Sequence, residues 1–200
     1  MVSTRILAFE SPQMKISSGV SLVSVISAKE SVMFAGAALE SVWKEARLNT
    51  GLKYLRTVMM GNSVGTFSVT NVNLGYLISA GKTSADRYFG IGVDYQIGGF
   101  NFGQIPMVGA RLFAGGAFLV SESSYFWESS ISGAYSAVAS VYEIQNNWRC
   151  DASLGTTIFD NVLAIVGLDY RDFSYRTPET TGGYSSMSLL ALSIGLGLTY

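Results

Sequence analysis

The 200-residue sequence has no histidine, one cysteine and three prolines, and only 14% of its residues are charged. Each shortage removes a class of protein. Without an imidazole there is no Ser-His-Asp or Cys-His nucleophile, since both need that base. Cys150 alone supports neither a disulfide framework nor a cysteine-rich zinc site. A net charge of −1 with no basic cluster leaves no electrostatic footprint for nucleic acid. No uninterrupted apolar run reaches the ~20 residues a spanning helix needs: 57–81 is broken by Asn62, Asn71 and Asn73, and the apolar part of 180–200 begins only at Met187. KISSGVSLVSVISA (15–28) has a basic start and a small last residue, as a secretion signal does, but its lead-in is long and contains Glu10. It is read as a strand.

What is present is apolar and short-range. Hydrophobic residues make up 48% of the chain and mean hydropathy is +0.32, while soluble domains carry nearer a quarter charged residues. Much of the surface must therefore face lipid or neighbouring subunits. The length suits one domain over 1–200, with 1–14 as an N-terminal extension in which Arg5 to Phe9 could make a short strand.

The periodicity is that of strands. Phe89, Ile91, Val93, Tyr95 and Ile97 alternate with Tyr88, Gly90, Gly92, Asp94 and Gln96. Leu190, Leu192, Ile194, Leu196, Leu198 and Tyr200 alternate with Ala191, Ser193, Gly195, Gly197 and Thr199. The same division recurs over 108–118, 148–155 and 164–171, and in each case the charges fall on one side. An apolar stripe backed by glycine and small polar residues suits a wall with lipid outside and a crowded lumen inside. Turn-rich breaks at 60–65, 80–85, 98–104, 145–147, 159–161 and 177–185 separate strands near 15–27, 31–44, 50–59, 66–79, 86–98, 107–120, 129–143, 147–158, 162–176 and 186–200, with all three prolines outside them. The expected fold is all-β, a closed antiparallel transmembrane barrel of about 8–10 strands. Over 28–59 a helix is the alternative, because VMFAGAALESVWKEARL is rich in helix formers.

SLLALSIGLGLTY, ending in Tyr200, resembles the last strand of small bacterial outer-membrane β-barrel proteins. The resemblance covers about the last 15 residues firmly and the rest as a class pattern. It implies a bacterial outer-membrane location, Tyr200 near the periplasmic edge, and the lipid bilayer and the outer-membrane assembly machinery as partners. The outer-membrane enzymes of that class rely on a histidine, which this chain lacks.

Trp43, Trp127, Trp148 and Tyr200, with Tyr54, Tyr88, Tyr125 and Tyr175, fall near expected strand ends, where amphipathic rings favour the membrane interface. Asp94, Asp151 and Asp169 are expected to share the lumen with Arg111, Arg149 and Arg171 as ion pairs, because a charge away from water needs a partner. The alternative, carboxylate catalysis, is the weaker reading. GIGVDYQIGG (90–99) and GARLFAGG (109–116) lie within strand periodicity and lack the helix a phosphate loop requires. Cys150 is expected to face outward among apolar neighbours. The expectation is an outer-membrane barrel with a structural, adhesive or narrow-pore role, no catalysis, no cofactor or metal, and a protein partner or self-association as an option. The alternatives are a non-membrane β-rich subunit of a large assembly (virion or tubular), and a soluble ligand-binding barrel.

Overall fold

A computed structural model describes residues 14–25, 30–43, 46–59, 68–80, 87–100, 103–120, 123–136, 143–159, 161–176 and 185–199. Ten strands run in chain order: β1 (Met14–Val25), β2 (Glu30–Trp43), β3 (Leu48–Met59), β4 (Ser68–Ala80), β5 (Tyr88–Phe100), β6 (Gly103–Val120), β7 (Ser123–Ser136), β8 (Glu143–Phe159), β9 (Val162–Arg176) and β10 (Ser185–Thr199). Each pairs antiparallel with its chain neighbours, and β1 pairs with β10, so the sheet closes without an edge. The all-β barrel expected from the alternation is therefore the fold, at ten strands.

The register fixes the barrel's shape. A walk across the ladders from Met14 passes Ser41, Thr50, Leu74, Val93, Ala110, Gly133, Trp148, Asp172 and Ser188. It returns to β1 one position beyond Val25, which pairs with Leu189, so the stagger is about 12 residues. Ten strands at that stagger tilt by about 40° and enclose a barrel of roughly 10 Å backbone radius, which side chains fill.

Period-2 alternation decides which residues face in. On β10, Leu192, Ile194 and Leu196 are 50%, 58% and 59% exposed and point outward, whereas Gly197 is buried. Ile91, Val93, Leu74, Val166 and Leu168 point outward too. Between the strand ends the described outward positions carry no charge; Arg56, Asp172 and Arg176 lie toward the end opposite the termini, and Arg47 and Arg87 at the termini end. The uncharged band is roughly 20–25 Å tall at this tilt.

Inside, the two ends of the lumen are closed by apolar side chains. Val42, Leu77, Tyr88 and Phe113 form a buried cluster toward the termini end, with Phe126 and Leu163 also buried there. Val23, Val32, Phe34, Val69 and Leu189 are buried toward the other end. Glycine makes room for this filling. A Cβ on Gly75 or Gly90 would coincide with the Phe113 ring, and one on Gly155 with the Phe126 ring.

The sequence boundaries shift in places. Residues 28–59 do not form a helix: β2 and β3 occupy its described part, joined by a turn in which Arg47 takes φ 55 and its carbonyl accepts the Leu77 N–H at 2.9 Å. Burial of one face at alternate residues overrides the helical propensity. β7 starts at Ser123, six residues before the expected strand, and Gln145–Asn147 lies within β8, where the ladder shifts register between Ile144 and Asn146 instead of breaking. Gly98, Gly99, Gly103 and Gln104 also belong to strands. Pro106 lies in β6, paired with Ile97 on β5, one residue before the first described pair of the β6–β7 ladder at Met107, so it sits near the ladder's end, where a missing amide is best tolerated. Arg5 to Phe9 and Tyr200 lie outside the described residues.

Candidate functional site

The lumen is where the chain concentrates its polar chemistry. Alternation sends Lys15 inward from β1, Glu40 from β2, Lys53 from β3, Asp94 from β5, Arg111 from β6, Glu128 from β7, Arg149 and Asp151 from β8, and Asp169 and Arg171 from β9. These are five cations and five anions, so the described lumen is neutral as a whole. A lumen with a large net charge would carry an uncompensated desolvation cost.

Asp169 is the hub. Arg149 donates to its Oδ2 from Nη2 at 2.9 Å and from Nε at 3.0 Å, and Arg171 Nε donates to its Oδ1 at 3.1 Å. Lys53 Nζ stands 3.7 Å from Oδ2, beyond hydrogen-bond length. Arg149 Nε is also 3.4 Å from Asp151, whose Oδ1 accepts a 2.7 Å hydrogen bond from Ser130. Both arginines are buried, where planar guanidinium forks hold carboxylates better than an ammonium does.

A second cluster lies nearer the termini. Lys15, itself buried, bridges Glu40 at 2.6 Å and Glu128, and sits over the Phe126 ring, 5.3 Å from its centroid. Tyr88 donates to Glu128 at 2.9 Å. Between the clusters, Arg111 donates to Asn49 at 3.0 Å, stacks 4.9 Å from the Phe113 centroid, and approaches Asp94 at 3.9 Å. Asp94 is 1% exposed, and neither of its carboxylate oxygens has a hydrogen-bond partner. Asn71, Asn73, Gln96 and Asn147 each carry one unpartnered atom as well. Asn73 pairs in register with Asp94 and Asn71 with Gln96, so these groups form one polar patch.

The six lumen charges picked out in the sequence thus all face inward, and the ion pairs join each arginine to an aspartate. Lys15, Glu40, Lys53 and Glu128 escaped the sequence reading. Glu40 and Lys53 lie in the segment where helix and strand competed, and Glu128 falls outside the strand drawn from 129. Lys15 shares one face with Ser17, Gly19 and Ser21, opposite Ile16, Val20 and Leu22, a signal that could have placed it.

The aromatic expectations divide. Trp43 and Trp148 are exposed on the outer surface in opposite halves of the barrel, and Trp127 is half-buried there. Trp43 Nε1 donates to Ser41 Oγ at 2.9 Å, and Ser41 shares a 2.7 Å hydrogen bond with Thr50, so the indole covers a polar spot on the outer face. Tyr125 stacks on Phe118 with ring centroids 5.5 Å apart. Tyr54 is exposed near the middle of β3, not at its end. Tyr88 is corrected: it points into the lumen, 6% exposed, because Glu128 offers its hydroxyl a charged acceptor. The Tyr175 side chain and Tyr200 are not among the described groups. Cys150 is exposed on the outer face, one residue from the lumen-facing Arg149 and Asp151. Among the described residues, no group of three or more Cys, Asp or Glu side chains is arranged to hold a metal ion.

No family model matches the chain, and no curated protein matches it. Three solved structures it is similar to come from bacterial outer-membrane proteins. The outer membrane protease OmpT of Escherichia coli is 10% identical, with 94% of this chain and 95% of that one covered and a TM-score of 0.49. The N-terminal β-barrel domain of Pseudomonas aeruginosa OprF is 12% identical, with 94% and 100% covered and a TM-score of 0.36. The outer membrane protein OprG of Pseudomonas aeruginosa is 13% identical, with 96% and 98% covered and a TM-score of 0.36. At these values no residue role passes to this chain.

Proposed function

We propose that the chain is an integral barrel of the bacterial outer membrane, with a structural or narrow-pore role and no catalysis. One observation carries the reading: the charges inside the barrel balance, while the described outer face between the strand ends has none. A subunit of a soluble assembly would carry apolar patches matched to neighbours. This apolar band instead continues over all ten strands at roughly the thickness of a barrel-spanned membrane. A soluble ligand-binding barrel would have the opposite polarity, with the leucines of β10 turned inward.

The interior favours a closed barrel. Apolar side chains lie toward both ends, and the lumen cavity between Lys15 and Asp169 is ≈ 120 Å³, room for a few waters and not for a metabolite. Asp151 and Asp169 are tied to arginines and Glu40 and Glu128 to Lys15, which supports ion pairing over acid–base work. The connections fit one orientation. Those at the termini end span 44–47, 81–87, 121–122 and 160–161; those at the other end span 26–29, 60–67, 101–102, 137–142 and 177–184, longer on average. Outer-membrane barrels carry short turns on the periplasmic side and longer loops outside, so the termini face the periplasm in this reading. Partners are the bilayer and, through the C-terminal strand, the outer-membrane assembly machinery.

Extraction tests the proposal. The protein is expected to leave membranes only with detergent, and its unboiled form to migrate differently from the boiled form on a gel. A chain that is soluble without detergent refutes it.

A further inference from the structure

On the outer face at the termini end, two interfacial side chains converge on one glycine. Gly116 pairs with Trp127 across the β6–β7 ladder, and Arg87 directly precedes β5, whose Tyr88 pairs with the neighbouring Gly115. Gly116 faces outward, because Gly115 lies against the lumen-facing Tyr88 and Ala117 is buried at 2% exposed. A Cβ on Gly116 would stand 3.2 Å from Arg87 Cγ and 3.2 Å from Trp127 Nε1. The arginine stem and the polar edge of the indole therefore meet above this one position. A larger side chain there would push them apart.

The other interfacial groups at this end are already engaged: Trp43 Nε1 donates to Ser41, and Arg47 Nη1 donates to the Tyr76 hydroxyl at 3.5 Å. Among the described residues, neither the Trp127 indole N–H nor the Arg87 guanidinium has a hydrogen-bond or ion-pair partner. Both groups donate and cannot accept, so the ligand that complements them is an anion with more than one acceptor oxygen. A phosphodiester is such an anion, and the planar guanidinium matches its oxygens better than an ammonium does. One step along the ladder toward the middle of the wall, the paired outward residues are Ala114 and Ser129. Their small side chains continue the depression beside Phe89, which is 42% exposed.

We propose that Arg87, Trp127 and Gly116 form a binding site for the phosphate of a membrane phospholipid, with an acyl chain lying over Ala114 and Ser129. The proposal rests on the membrane-barrel reading above, and the orientation argued there puts this lipid in the inner leaflet. Two donors above a glycine hold the phosphate, while the stem of Arg87 stays on the apolar wall and its charged head reaches the headgroup level. The small pair beside them takes the chain. Trp43 and Arg47 add ordinary interfacial affinity and no such site.

Native mass spectrometry of the detergent-extracted protein, titrated with dioleoyl phosphatidylglycerol, tests this on chains first shown to be folded by their heat-modifiable migration. The wild type is expected to hold its first lipid roughly tenfold more tightly than later ones, the worth of one charge-assisted hydrogen bond. Arg87→Ala, and Trp127→Phe, which keeps a ring and removes the donor, are each expected to weaken that first binding by roughly fivefold to tenfold. Arg87→Lys is expected to lose less than Arg87→Ala, and Arg47→Ala to leave the first binding unchanged. Dioleoylglycerol, with the same chains and no phosphate, is expected to show no favoured first site. Folded Arg87→Ala and Trp127→Phe proteins that hold the first lipid as the wild type does overturn the site, as does equal binding of dioleoylglycerol; both leave the membrane reading standing. Displacement of the first lipid by inorganic phosphate at equal concentration assigns the site to a free anion and overturns the lipid. A wild type that is soluble without detergent refutes the membrane reading instead.

Discussion

Replacing Asp169 by alanine removes the carboxylate that three lumen cations share. Arg149 keeps Asp151 at 3.4 Å, but Arg171 loses its 3.1 Å partner and is 8% exposed. Breaking a buried pair on one side costs about 3–5 kcal/mol, because the surviving charge stays desolvated. Arg171→Ala removes a cation and leaves Asp169 with Arg149 at 2.9 Å and Lys53 at 3.7 Å, so its cost is expected to be smaller, about 1–3 kcal/mol. Removing both is expected to cost less than the two losses added, since the orphaned guanidinium goes as well. The assay is equilibrium urea unfolding in lipid vesicles followed by fluorescence of the three tryptophans, with coincident folding and unfolding curves as the check. The reasoning fails if Asp169→Ala unfolds within about 0.5 kcal/mol of the wild type, or if Arg171→Ala is the more damaging of the pair.

Three further outcomes follow from the same geometry. Leu192→Arg, at an outward position 50% exposed in mid-band, is expected to destabilise the inserted barrel by about 2–4 kcal/mol, and Ser186→Arg at the strand end by about 0–1 kcal/mol; vesicle unfolding curves compare them. Gly90→Ala forces a methyl into the Phe113 ring and the Tyr76 carbonyl and is expected to cost about 1–3 kcal/mol, with partial recovery when Phe113→Leu is added. Tyr88→Phe removes a 2.9 Å donor to a carboxylate and is expected to cost about 1.5–3 kcal/mol, seen as a lower urea midpoint.

Strand alternation was the legible part of this chain. The stripe on β10 and the one on β5 each name their outward residues without ambiguity, and the inward charges of β8 and β9 follow from the same parity. Composition alone could not locate β7, because Ser123–Ser136 carries Ser, Glu and four aromatics in place of an aliphatic stripe, and only pairing with β6 and β8 holds it in the wall. Nor could propensity decide β2, whose alanines and Glu40 suit a helix until Lys15 is brought beside that carboxylate by the closed sheet. The gap between Lys53 and Asp169 was invisible for a related reason. Those residues are 116 positions apart in sequence and meet only because β1 joins β10. Tyr88 shows the limit of reading rings by position: strand-end placement favours the interface, but a buried acceptor at the right register outweighs it.

The most direct measurement uses the native thiol. Cys150 is exposed on the outer face of β8, flanked in sequence by Arg149 and Asp151, which point into the lumen. A nitroxide attached there, in protein reconstituted into phospholipid vesicles, is predicted to collide readily with dissolved oxygen, which partitions into hydrocarbon, and hardly at all with a water-soluble nickel chelate. Dominant collisions with the chelate would mean that water bathes this face, and the assignment of the apolar band to lipid would be contradicted.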